Sequence, residues 1–119
     1  MARAPRTGKG DERKASPVDR RFGRVVDAFS GNPLVTREQK RGFGSGALKV
    51  DGKIFAMITS KGQFVVKLPS SRVDELIRSG RGERFEPRPG RAMREWVSAP
   101  GRASWVALAR EAYAFVKGG

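Results

Sequence analysis

Apolar residues recur at helical spacing in three stretches of the chain and at strand spacing between them. Phe22, Val25, Val26 and Phe29 stand at i, i+3, i+4 and i+7, one stripe of a helix. Ser16 can cap that helix, and Pro17 suits its first position because the missing N–H has no intrahelical partner there. Asp19 then meets the positive end of the helix dipole. Ser30-Gly31-Asn32-Pro33 ends the element. Residues 34–41 carry no clear period, and Thr36 is a candidate cap for a short turn. Residues 47–50, 54–58 and 63–68 read as three sequential strands. Asp51-Gly52 between the first two marks a two-residue hairpin, because a type I′ turn needs positive φ at both positions. Ser60-Lys61-Gly62 turns the second strand into the third. The second strand is apolar on both faces, which predicts a central place in the sheet.

Pro69-Ser70-Ser71 opens a second helix, with Val73, Leu76 and Ile77 as its buried stripe and Ser79-Gly80 as its end. Residues 83–86 read as a short strand and Pro87-Arg88-Pro89-Gly90 as a turn. Residues 92–98 read as a further strand, with Met93 and Val97 on one face and Arg94 and Trp96 on the other. Trp105, Leu108, Ala109, Ala112, Phe115 and Val116 form the stripe of a last helix. Hairpins rather than βαβ crossovers link the strands, which predicts the α+β class. The expected form is a two-layer α-β(3)-α-β(2)-α domain with one antiparallel sheet and helices packed mainly on one face. Its expected core is Val25, Phe29, Leu48, Ile54, Ala56, Ile58, Val66, Leu76, Trp105, Leu108 and Phe115. The domain is expected over residues 16–117, after a basic, turn-rich tail at 1–15 that reads as disordered.

Composition narrows the chemistry. The chain has 119 residues, the size of one domain, with no histidine and no cysteine. Those absences remove the usual general base near neutral pH, thiol catalysis, ordinary structural zinc and disulfides. The expectation is a non-enzymatic protein with no cofactor and no metal. The first ten residues lack an apolar core, and no run approaches the roughly 20 apolar residues of a membrane span. A cytoplasmic protein with no membrane partner is expected. Lysine and arginine number 25 against 12 acidic residues, a net charge of +13. Such a surface suits polyanions, DNA or RNA first. The alternative is an adaptor that binds another protein, its basic charge incidental.

The motifs with catalytic overtones lead back to structure. Gly42-Phe43-Gly44-Ser45-Gly46-Ala47 fits G-x-G-x-x-A, but a strand follows it where the dinucleotide fingerprint requires a helix. Ser60-Lys61, or Ser45 with Lys49, would be formal Ser–Lys pairs, and a turn with a solvated charge explains them as well. Trp105 lies on a helical stripe and belongs to the core. Trp96 is expected either under a helix or on an exposed contact surface, and the high average burial of tryptophan favours the first. The cations that flank glycine loops or interrupt apolar strands are Arg41, Lys49, Lys53, Lys67, Arg91 and Arg94, the candidate nucleic-acid contacts.

One order of residues has a familiar look. Phe43-Gly44, Gly46, Leu48, then Val50-Asp51-Gly52-Lys53-Ile54-Phe55-Ala56, Val66-Lys67-Leu68, Phe85 with Pro87, and Met93-Arg94-Glu95-Trp96-Val97 together resemble the TfoX N-terminal domain family. The segment around Lys53-Ile54-Phe55-Ala56 is also similar to the wider MmcQ/YjbR group. The resemblance covers about residues 18–117. It implies an α-β(3)-α-β(2)-α domain with an antiparallel sheet, in agreement with the pattern above, and a regulatory role without catalytic residues. Fuller members of that family carry a second, C-terminal domain and regulate natural competence.

Overall fold

The strands form one six-stranded antiparallel sheet in the order β1-β2-β3-β4-β6-β5. The computed structural model describes residues 17–38, 46–88, 90–101 and 103–118. The expected tail at 1–15, the Ser16 cap, Arg41 and most of the glycine loop lie outside the described residues. The elements are α1 (Pro17–Ala28), β1 (Val35–Glu38), β2 (Gly46–Val50), β3 (Lys53–Ile58), β4 (Phe64–Lys67), α2 (Ser70–Arg78), β5 (Glu83–Arg84), β6 (Trp96–Ala99) and α3 (Trp105–Gly118). The class is α+β with a single antiparallel sheet and the helices on one face of it.

The local signals that define turns are all present. Asp51 and Gly52 have φ of 54° and 76°, and Val50 pairs with Lys53 across them. Gly62 takes φ 82° in the next turn, where its N–H donates to the Thr59 carbonyl at 2.9 Å. Gly80, at φ 78°, ends α2 in a Schellman motif. There the Arg81 N–H donates to the Leu76 carbonyl at 2.9 Å and the Gly80 N–H to that of Ile77 at 3.2 Å.

Three expectations are corrected. The ambiguous stretch after α1 contains a strand, β1, paired with β2 from Val35↔Val50 to Glu38↔Ala47. It is an edge strand with both central residues exposed, so it shows no apolar period to read. Asn32 sets its start: its side-chain oxygen accepts from the Leu34 N–H at 2.9 Å, and its amide donates to the Tyr113 hydroxyl at 3.0 Å. The last strand is shorter than residues 92–98, because β6 begins only at Trp96. Met93 is therefore not a strand residue beside Val97; it is exposed in a loop, its N–H donating to the Phe85 carbonyl at 2.9 Å.

The third correction concerns β3. Leu48 pairs with Ala56 and Lys49 with Ile54, so Phe55 is an extra residue in a β-bulge. Strict alternation would place Ile54 and Ala56 inward together. The bulge instead buries Phe55 and Ala56 side by side and leaves Ile54 half-buried on the other side. The Phe55 ring meets Phe29 at 5.2 Å and Tyr113 at 5.6 Å between centroids. Of the expected core, Ile54 and Phe115 are half-buried and the other members are buried.

Register divides the core from the other face, because residues directly opposite each other in a ladder share a side. Leu48, Ala56, Val66 and Val97 form a row across four strands beneath the helices. Phe22 from α1 and Trp105 from α3 close over Phe64, the indole stacked on the Phe64 ring at 4.5 Å. Arg21 locks the indole from outside, its guanidinium 4.1 Å from the ring centre and donating to the carbonyls of Gly101 and Ala103. Helix α2 joins the same core through Val73 and Leu76.

Candidate functional site

The face of the sheet opposite the three described helices carries two rows of side chains. The first is Ala47, Met57, Val65 and Ser98, opposite one another in the ladder, with Met57 half-buried and the other three buried. The second holds Lys49 beside Ile54 on β2 and β3, and Lys67 beside Trp96 on β4 and β6. It is interrupted between Ile54 and Lys67. Strand β3 pairs with β4 only from Ala56↔Val66 to Ile58↔Phe64, so residues 53–55 run clear of β4 after the bulge.

A depression of about 580 Å³ occupies that interruption. Its apolar walls include Ile54, Trp96 and Phe115, and Lys49, Lys53 and Lys67 stand around it. A second depression of about 630 Å³ shares Lys67 and Trp96 with the first and adds Arg94. A third shares Met93 with the second and adds Arg88 and Arg91. Five of the six cations chosen from the sequence thus line one run of depressions, and the sixth, Arg41, lies outside the described residues. Arg88 was missed because the Pro87-Arg88-Pro89-Gly90 turn gave no reason to choose it over any other solvated arginine.

Two of these cations already hold carboxylates. Lys49 lies 3.3 Å from Glu38, and Lys67 lies 3.8 Å from Glu95. Side chains of both pairs remain about a quarter to a half exposed, and such pairs contribute on the order of 1 kcal/mol or less. An incoming anion can displace the carboxylates at little cost. The Lys67 ammonium also lies 5.8 Å from the centre of the Trp96 ring. Trp96 is half-buried on the face away from the helices, so the expectation that it packs under a helix is corrected. Its register partner is Lys67, and the neighbouring Val97 takes the core side.

Ser60 and Lys61 stand exposed in the β3–β4 turn and line a further depression with Phe85 and Pro87. Among the described residues there is no cluster of acidic side chains fit to hold a metal, and no helix is long and apolar enough to cross a membrane. Elsewhere, Arg72 bridges α2 and α3. It donates to both Glu111 oxygens, at 2.9 and 3.0 Å, and to Glu75 at 3.0 Å. The hydrogen bonds to Glu111 and then Glu75 raise the basicity of this guanidinium above its ordinary value. Its bidentate geometry makes it a structural clamp. Comparison with protein-family models, curated proteins and solved structures finds no match for this chain.

Proposed function

We propose that this is a small, non-enzymatic regulatory protein of the TfoX N-terminal type whose basic run of depressions binds nucleic acid electrostatically, in a cytoplasmic setting. The observation that carries the reading is the alignment of Lys49, Lys53, Lys67, Arg94 and Arg91 along one run of depressions. The net charge of +13 supports it, because long-range attraction to phosphates steers encounter before any contact forms. The residues match a binding surface better than a reaction centre: they supply positive charge and two aromatic rings, Trp96 and Phe115. The runner-up is a protein-interaction adaptor. Met93, 40% exposed between the second and third depressions, is the observation in its favour.

The test is a binding titration of the full chain against DNA, RNA and a non-nucleic polyanion at two salt concentrations. Engagement of four to six cations predicts a slope of log affinity against log salt of about −4 to −5 on duplex DNA. Absence of binding to DNA and RNA at ~50 mM salt, where phosphate contacts are strongest, would sink the reading. A protein partner retained at high salt would then favour the adaptor.

A further inference from the structure

We propose that the depression between β3 and β4 receives an unpaired base, so that the preferred ligand is single-stranded rather than duplex nucleic acid. This rests on the nucleic-acid reading above and deepens it.

The shape of the site argues for it. A duplex keeps the flat faces of its bases stacked away and offers only edges and phosphates. The depression is a recess left where β3 leaves β4, walled by Ile54, Trp96 and Phe115, with lysines around it. An apolar slot beside fixed cations is complementary to a nucleotide, whose base is a flat, polarisable surface and whose phosphate is an anion. Its volume of about 580 Å³ lies inside the ~300–1,000 Å³ span of small-ligand sites.

Trp96 supplies the platform. Its backbone is held in β6 by pairing with Lys67, so the indole is presented from a strand rather than from a mobile loop. The ring belongs to both the first and the second depressions and is only half-buried. Stacking on such a ring tolerates any base, because every base has a π-face. Arg94, Arg91 and Arg88 continue along the adjoining depressions, where the phosphates that follow the inserted nucleotide can be met in succession. Glu95, which reaches Lys67 at 3.8 Å, is the carboxylate that a phosphate would displace.

The experiment uses the full chain at ~50 mM salt and follows fluorescence anisotropy of three labelled ligands of equal length, about 20 nucleotides. They are a single strand, the matching duplex, and a single strand with its central bases replaced by abasic sites. The single strand should bind at least about tenfold more tightly than the duplex. Loss of one stacked base is worth about 5- to 150-fold, so the abasic strand should bind more weakly by that order. Trp96→Ala should impose a similar loss on the intact strand, and Trp96→Phe, which keeps an aromatic face, should restore most of it. The abasic comparison needs no altered protein, so it stands even if Trp96→Ala fails to fold. Equal affinity for strand and duplex, or for intact and abasic strands, overturns the base pocket and leaves the electrostatic reading in place. No binding to any of the three overturns both.

Discussion

The two faces of the sheet are built from the same strands to opposite ends. Beneath the helices, Phe22, Phe55, Phe64 and Trp105 interlock, and the row Leu48, Ala56, Val66 and Val97 has no contact with water. On the other face, a row in which Ala47, Val65 and Ser98 are buried gives way to lysines, a half-buried tryptophan and a depression beside it. The contrast shows where folding free energy and chemistry reside. Lys49 and Lys67 there keep about a third of their side chains in water and hold only partly exposed carboxylates, which a ligand can displace. The bulge at Phe55 links the two. It drives a large ring into the core, and β3 pairs with β4 only from Ala56 onward.

The sharpest way to break that comparison is to change two adjacent residues of β3. Phe55→Ala should destabilise the fold by about 3–5 kcal/mol, because it empties the space between Phe29 and Tyr113. Ile54→Ala, one position away on the other face, should cost only about 1 kcal/mol, since the side chain is half-buried to begin with. Urea denaturation of the two variants decides it. Comparable losses would mean that the bulge does not sort the two side chains as described.

Gly82→Ala comes next. An added Cβ would lie 2.6 Å from a Val97 methyl and 3.1 Å from the Leu76 Cβ, where α2 closes on β6. Overpacking there should destabilise by about 1–3 kcal/mol, read as a lowered thermal midpoint. An unchanged midpoint would place α2 further from the sheet.

Arg72→Ala should cost about 1 kcal/mol. The bidentate pair with Glu111 is well formed, but both partners are partly solvated. A double-mutant cycle with Glu111→Ala measures the coupling, and additive losses would remove the clamp. The smallest effect on stability belongs to the cations around the depressions. Lys53→Gln and Arg94→Gln should each change it by less than about 0.5 kcal/mol. Each should nonetheless weaken DNA or RNA binding across all sequences and flatten the salt slope by about one unit. A variant that binds with an unchanged slope is not a phosphate contact.

The α-β(3)-α-β(2)-α order expected from the residue pattern and the structure agree on class and antiparallel sheet, yet the structure has a strand more. That strand, β1, has neither an apolar stripe nor a turn signature of the hairpin kind. Its residues Thr36 and Arg37 are exposed, and the approach of the Arg37 guanidinium to the Phe22 ring, 5.8 Å from its centre, joins residues far apart in the chain. By contrast the β2–β3 hairpin, the end of α2 and the stripe of α3 were each legible from a few neighbouring residues.

What the sequence determined by itself is what neighbouring residues impose on one another. Asp51-Gly52 demands a tight turn because only such residues accept positive φ, Gly80 ends α2 for the same reason, and the helical stripes follow from a period of 3.6. The cationic character of the surface was also in the composition. Tertiary structure alone decided which residues meet. One extra residue in a strand reverses every side chain on one side of it, and nothing local to Ile54-Phe55 says that the ring will find Phe29 and Tyr113. The same non-local packing opens β3 from β4, brings Lys53 and Lys67 around one recess, and turns Trp96 toward it, because register and strand divergence are set by contacts between residues far apart in the chain.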